Sequence, residues 1–190
     1  MKQRIFVISD TEMGKKDVMD DFTDDNLLFE FITGLKPHTP EEKIALVLNG
    51  DIFDFLKMAY KSAYPRYITQ EISLWKLDKV IERHPKFFEA LKIFLKTPHA
   101  EVYFIIGNHD FDLVWPKVQK KIHSQLHNHS HVHFRHHFAT KQVWIEHGNS
   151  LDPFFDFNTR KPIIHYKGQK ILNLPLGCHL MCSYLAPFKR

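Results

Sequence analysis

Four apolar runs punctuate this chain, and each ends in groups that bind cations or protons. IFVIS runs into Asp10 and Glu12, IALVLNG into Asp51, VYFIIG into Asn108, His109 and Asp110, and QVWIE into His147. Runs of this length read as buried strands, and a buried strand is a costly place to deliver charge unless the charge is paired. The two-residue alternation of a strand sets Asp10 and Glu12 on one face. Helical patterns separate the first three runs. TDDNLLFEFITGL is expected to be a helix capped by Thr23 and closed near Gly34. A longer helical region spans Thr69 to Lys96 with a break at Pro85, and Pro116 opens another helix reaching Leu126. A strand is expected over His131–Phe138, with QVWIE as its partner. Strand and helix in alternation specify an α/β fold with a sheet at least partly parallel. Ligands of such sheets bind beyond the carboxyl ends of the strands, where these polar clusters lie. Gly50, Gly107 and Gly148 each adjoin one cluster and permit sharp turns and close backbone approach there.

The length of 190 residues, without an internal repeat or linker, predicts a single domain over 1–190. A net charge of +4 is too mild to signal nucleic acid. Cys178 and Cys182 are too few for a disulfide framework and read as buried thiols. MKQRIFVISD has no long apolar core before its first acid, so an intracellular, cytoplasmic protein is expected. Residues 171–188, ILNLPLGCHLMCSYLAPF, carry no acid, lysine or arginine yet are too broken for a spanning helix. They read as a buried docking helix, with an interfacial segment touching a membrane peripherally as the alternative.

Asp10, Glu12, Asp51, Asn108 and His147 converging without a cation would repel, and burial would raise the carboxyl pKa values. With divalent cations the set is reasonable: oxygen donors dominate and nitrogen is the minority, which suits Mn²⁺, Fe or Zn²⁺ better than a thiolate zinc site. Two metals sharing a carboxylate would clamp a phosphate and generate hydroxide near neutral pH.

The blocks SDTE, GDIFD, GNHD and HGN, in this order after apolar strands, resemble the calcineurin-like metallophosphoesterase superfamily. Its blocks read D-x-H, G-D-x-x-D, G-N-H-D/E and a later histidine followed by glycine. The longer wording GDIFDF, IIGNHDFDLVWP and EHGNSLDPF is similar to bacterial enzymes of the UDP-2,3-diacylglucosamine hydrolase type. The resemblance implies an αββα sandwich of mixed sheets flanked by helices, holding two divalent metal ions, foremost Mn²⁺. It assigns Asp10 to the first metal, Asp51 to a bridge, and Asn108 and His147 to the second metal. His109 would stabilise or protonate the leaving oxygen, Asp110 would orient its ring, and Asp54 would support the loop. The implied reaction is attack by a metal-bridging hydroxide on a phosphodiester, phosphomonoester or pyrophosphate. The implied partner is a phosphorylated small molecule or lipid-linked substrate, in its narrowest form a nucleotide-linked lipid pyrophosphate.

Two departures from the family pattern stand out. Glu12 occupies the position of a family histidine, where it is a substitute ligand, a group that supports the ligands from behind, or, if the first site has decayed, turned to solvent. The G-H-x-H block that supplies one more histidine to each metal does not occur, so the chain is expected to lack the C-terminal part of the fold. Each metal would then keep three protein ligands, with His165, His179 or a second chain as replacements outside any matching motif. Truncation would also uncover residues 171–188, which are then expected to self-associate.

Other features admit an ordinary reading beside a functional one. HSQLHNHSHVHFRHH is either a histidine-rich connection or a separate metal site with His127, His129, His131 and His133 on one strand face. Lys61 and Arg66 either meet a substrate phosphate or belong to an amphipathic surface. Asn149 and Asp152 either orient His147 or form the turn before Pro153. Trp75, Phe87, Phe88 and Phe94 read as core and inter-helix packing. Two non-enzymatic functions therefore remain beside the phosphoesterase: a degenerate domain that binds without turnover, and a histidine-rich metal-binding interaction protein.

Overall fold

The computed structural model describes residues 3–15 and 22–185. In chain order the strands and helices are β1 (Gln3–Ile8), α1 (Asp25–Gly34), β2 (Lys43–Asn49), α2 (Gln70–Arg83), α3 (Pro85–Phe94), β3 (Ala100–Ile105) and α4 (Pro116–Gln125). They continue with β4 (Val132–Arg135), β5 (His137–Ala139), β6 (Trp144–Glu146), β7 (Ile163–Tyr166), β8 (Gln169–Leu172) and α5 (Leu176–Leu180). The fold is α/β. Four parallel strands form one sheet in the order β1-β2-β3-β4, and the β5–β6 and β7–β8 hairpins pair antiparallel.

The central strand β2 is buried along Ile44–Leu48, as expected where both faces of a parallel sheet are covered. Ile44, Leu46 and Leu48 face the larger core with Leu28, Ile32, Leu77, Val80, Leu91 and Val118 of the helices. Ala45 and Val47, the alternate residues, pack with Ile105, Phe138 and Ile145, so the β5–β6 hairpin covers the opposite face. Phe53 joins the strand ends to the helix layer through ring contacts with Phe55, Phe87, Phe88 and Phe104. Phe87, Phe88 and Phe94 are core residues, and Trp75 packs edge-on against Tyr60.

Local chemistry sets the helix limits. Thr69 caps α2 by accepting from the Ile72 N–H, and α2 ends at His84 because Pro85 opens α3. At α1 the cap is Asp24, not Thr23: its carboxylate accepts from the Leu27 N–H at 2.9 Å. The expected strand over His131–Phe138 is two strands. β4 pairs parallel with β3 in the main sheet, whereas β5 pairs antiparallel with β6. His127 and Asn128 turn through left-handed backbone before β4, so the four alternate histidines do not share a strand face.

In the C-terminal apolar stretch, Ile171, Leu172, Leu174, Cys178 and Cys182 are buried, while Leu176 and Leu180 are exposed. Both cysteines are free thiols. Residues 186–188 lie outside the described residues. Among the described residues, no helix is long and apolar enough to cross a membrane.

Candidate metal centre

The site forms where the chain leaves β1, β2 and β3, and its two carboxylate-bearing loops are laced together. Asp10 N–H donates to the Gly50 carbonyl, Glu12 N–H to that of Asp51, and Met13 N–H to that of Ile52. The pairing of β1 with β2 therefore continues beyond the formal strand ends, but the backbone there is no longer extended. Asp10, Glu12 and Asp51 have φ of 54, 46 and 51°, in the left-handed region that costs non-glycine residues about 1–2 kcal/mol each. Such strain concentrates where a fold fixes functional side chains. Here it also ends the strand alternation that would keep Asp10 and Glu12 on one face.

The two side chains enter different clusters. Ligand atoms of Asp10, Asp51 and His147 all lie within 4.8 Å of one another, and those of Glu12, Asp54 and His109 form a second such trio. In the first, Asp51 is buried and its Oδ2 lies 3.1 Å from His147 Nε2. His147 Nδ1 lies 3.0 Å from the Asn49 carbonyl, which fixes the ring with Nε2 toward the carboxylates. A carbonyl holding one ring nitrogen while the other faces the donor set is the usual support for a ligating histidine. Asn149 and Asp152 do not orient this ring: Asn149 donates to the Phe155 carbonyl and Asp152 accepts from the Phe154 N–H, forming the turn around Pro153.

Glycines make this approach possible. Gly50 has φ +77°, and a Cβ there would collide with the His147 ring. A Cβ at Gly107 would strike the Asp51 carboxylate and its backbone nitrogen. Asn108, next in the chain, is nearly buried beneath α5, where the Cys178 thiol donates to its carbonyl at 3.6 Å. His109 N–H donates to Asp51 Oδ1 at 2.8 Å, so the GNHD loop is pinned to the first cluster by its backbone.

In the second cluster, His109 Nδ1 lies 2.9 Å from Asp54 Oδ1. Asp54, not Asp110, therefore orients the His109 ring. Asp110 is fully buried and accepts from the N–H groups of Gly107 at 2.7 Å and Ile52 at 2.9 Å, tying the loop after β3 to the loop after β2. The ammonium of Lys57 stands between the two carboxylates, 2.6 Å from Glu12 Oε2 and 2.7 Å from Asp54 Oδ2. Sequence reasoning missed Lys57. The signal available was the Asp54-x-x-Lys57 spacing within GDIFDFLK, but the reach to Glu12 depends on the paired loops.

Electrostatics follow from these contacts. Burial alone would lower the His109 pKa, but the Asp54 hydrogen bond and the charges of Asp51, Asp54 and Glu12 raise it to about 9. Burial likewise opposes protonation of His147, and Asp51 and the Asn49 carbonyl raise it to about 9. Burial and the neighbouring Asp51 charge push Asp110 up to about 7. Asp51 sits below its ordinary value: its burial is outweighed by its bonds and charges from His147 and His109.

Lys61 lies over the Tyr60 ring and Tyr67 stacks on Tyr166. The only sets of three or more His, Cys, Asp or Glu arranged to hold a metal, among the described residues, are the two trios above. The histidine-rich run forms no such set.

The donor chemistry of Asp10, Asp51 and His147 fits a divalent cation: two carboxylates and a supported imidazole converge, and no lysine or arginine among the described residues is ion-paired to them. The family model of calcineurin-like phosphoesterases matches residues 3–179. No curated protein and no solved structure matches the chain. Covering the β1, β2 and β3 loops and His147 in one alignment, the match settles the family: this chain belongs to the calcineurin-like phosphoesterases.

Proposed function

We propose that this protein hydrolyses a phosphoric ester or pyrophosphate bond at the ends of β1, β2 and β3, with Asp10, Asp51, Asn108 and His147 holding a divalent cation. The observation that carries the reading is the convergence of the Asp10, Asp51 and His147 ligand atoms beside His109. The oxygen-rich donor set favours manganese among the ions of this class. A cation held there supplies positive charge for phosphate oxygens and lowers the pKa of water. The chain's own residues do the rest. The Asn49 carbonyl keeps His147 Nε2 directed at the site. Asp54 holds His109 through Nδ1, which leaves Nε2 as the ring atom for the substrate. The raised His109 pKa keeps a proton on that ring at neutral pH, available to a leaving oxygen.

A nucleotide-linked lipid pyrophosphate is the narrowest substrate in this proposal and rests on the wording of the GDIFDF, IIGNHDFDLVWP and EHGNSLDPF segments alone. Peripheral membrane contact and self-association through residues 171–188 belong to the same proposal and rest on the exposed Leu176 and Leu180. A second reading, binding without turnover, is favoured by one observation: Lys57 already neutralises Glu12 and Asp54. Manganese-dependent hydrolysis of bis(p-nitrophenyl) phosphate decides between them. Turnover that disappears in Asp51→Asn supports the phosphoesterase, and folded, ion-loaded protein without turnover supports the binding domain.

A further inference from the structure

The trio of Glu12, Asp54 and His109 has the spacing of a cation site, yet both of its carboxylates already hold an ammonium. Asp54 Oδ1 takes the His109 ring at 2.9 Å and the Lys57 backbone N–H at 3.2 Å, while Oδ2 takes the Lys57 ammonium at 2.7 Å. Glu12 Oε2 takes the same ammonium at 2.6 Å, and Oε1 lies 3.8 Å from His109 Nδ1. Lys57 is 6% exposed and Asp54 1%, so the ammonium is enclosed and not a solvated surface charge. Its geometry is fixed locally as well, because the backbone N–H and the side chain of Lys57 both bind Asp54 three residues earlier.

A compact ammonium with three donors is the side chain closest to a small cation. Breaking such a buried pair leaves carboxylates uncompensated, and they must then take up a proton or another cation. The Asp10, Asp51 and His147 cluster differs in having no lysine or arginine paired to it among the described residues.

We propose that the Lys57 ammonium is a built-in replacement for the second cation, so that the centre retains one divalent ion, at Asp10, Asp51 and His147, and Glu12 serves Lys57 as counter-ion instead of a metal as ligand. The proposal rests on the reading of the first cluster as an ion site. It makes Lys57 the residue that sets ion stoichiometry, and it accounts for a glutamate at position 12. A carboxylate can neutralise an ammonium, which a neutral imidazole cannot.

Mn²⁺ is the probe, since its preference for carboxylate oxygen keeps it off the histidine-rich run. Equilibrium dialysis and electron paramagnetic resonance on the full chain should show one ion per chain with the uncoupled spectrum of an isolated Mn²⁺. Lys57→Met should bind two, with the spectrum of a spin-coupled pair, and Glu12→Gln in that background should return it to one. Two coupled ions in the wild type, or one ion in folded Lys57→Met, overturns the proposal and leaves the first site intact. If Lys57→Met fails to fold, the wild-type spectrum decides alone. No ion in the wild type, or an ion that survives Asp51→Asn, overturns the reading of the first cluster and the proposal with it.

Discussion

Two trios, each of two carboxylates and a histidine, sit side by side at the strand ends and differ in what balances them. Asp10, Asp51 and His147 face one another with only the histidine as internal cation. Glu12, Asp54 and His109 enclose Lys57. The same kinds of side chain, with their carboxylates on the same two loops, thus form one cluster without a paired lysine and one that encloses it. What separates them is a single lysine, held between Glu12 and Asp54. Ligand identity in a motif is therefore an incomplete guide to metal content: a competing side-chain cation decides which carboxylates are free to coordinate.

The largest expected effect breaks the first cluster. Asp51→Asn should lose bound Mn²⁺ and reduce phosphodiesterase kcat/KM by more than about 100-fold, beyond what loss of a supporting partner alone costs. Steady-state kinetics beside ion analysis checks it, and retained activity would assign catalysis elsewhere. The second cluster should respond more mildly and differently. Asp54→Asn should lower kcat by about 10–100-fold, because it releases the His109 ring, while one Mn²⁺ stays bound. The loss should be greater for an alkyl than for a p-nitrophenyl leaving group, as expected if His109 protonates the departing oxygen.

Gly107→Ala sharpens the contrast through packing. The added methyl meets the Asp51 carboxylate and backbone, so denaturant unfolding should show a loss of about 1–3 kcal/mol. A neutral result would mean that the loop after β3 does not press on the first cluster.

Protons distinguish the trios further. In ion-free protein, His109 and His147 titrate near 9 instead of 6.5, so the folded state binds protons that the unfolded chain has released. Their contribution to stability is full below about pH 6.5 and is lost as pH rises toward about 9. Asp110, raised to about 7, acts in the same direction between its ordinary 3.8 and 7. The melting temperature of ion-free protein should fall across this range. Mn²⁺-loaded protein should show a shallower slope above pH 6.5, because a coordinated His147 has already lost its proton while His109 has not. Equal slopes would place the ion away from His147. The smallest effect is expected outside both trios: His129→Gln with His131→Gln should change manganese-dependent activity by less than about twofold.

Much of this was legible in the residues. The parallel sheet and the helix limits at Thr69, Pro85 and Pro116 follow from local signals, as do the glycines beside the site. The Asp24 cap escaped notice because Thr23, Asp24 and Asp25 are all competent cap-region residues, and only the backbone geometry selects one. The division of His131–Phe138 into β4 and β5 was hidden because each half pairs with a different partner.

By itself the sequence determined which strands end in carboxylates and histidines, since strand periodicity and motif spacing act over a few residues. Only the tertiary structure decided which of these groups meet. Glu12 and Lys57 are 45 residues apart and meet because the loops after β1 and β2 remain hydrogen-bonded beyond the sheet. Asp54 outcompetes the adjacent Asp110 for the His109 ring because Asp110 is spent on three buried backbone N–H groups. A buried N–H without a partner costs about 1–3 kcal/mol, so the backbone claims the nearer carboxylate and leaves the more distant one to the histidine.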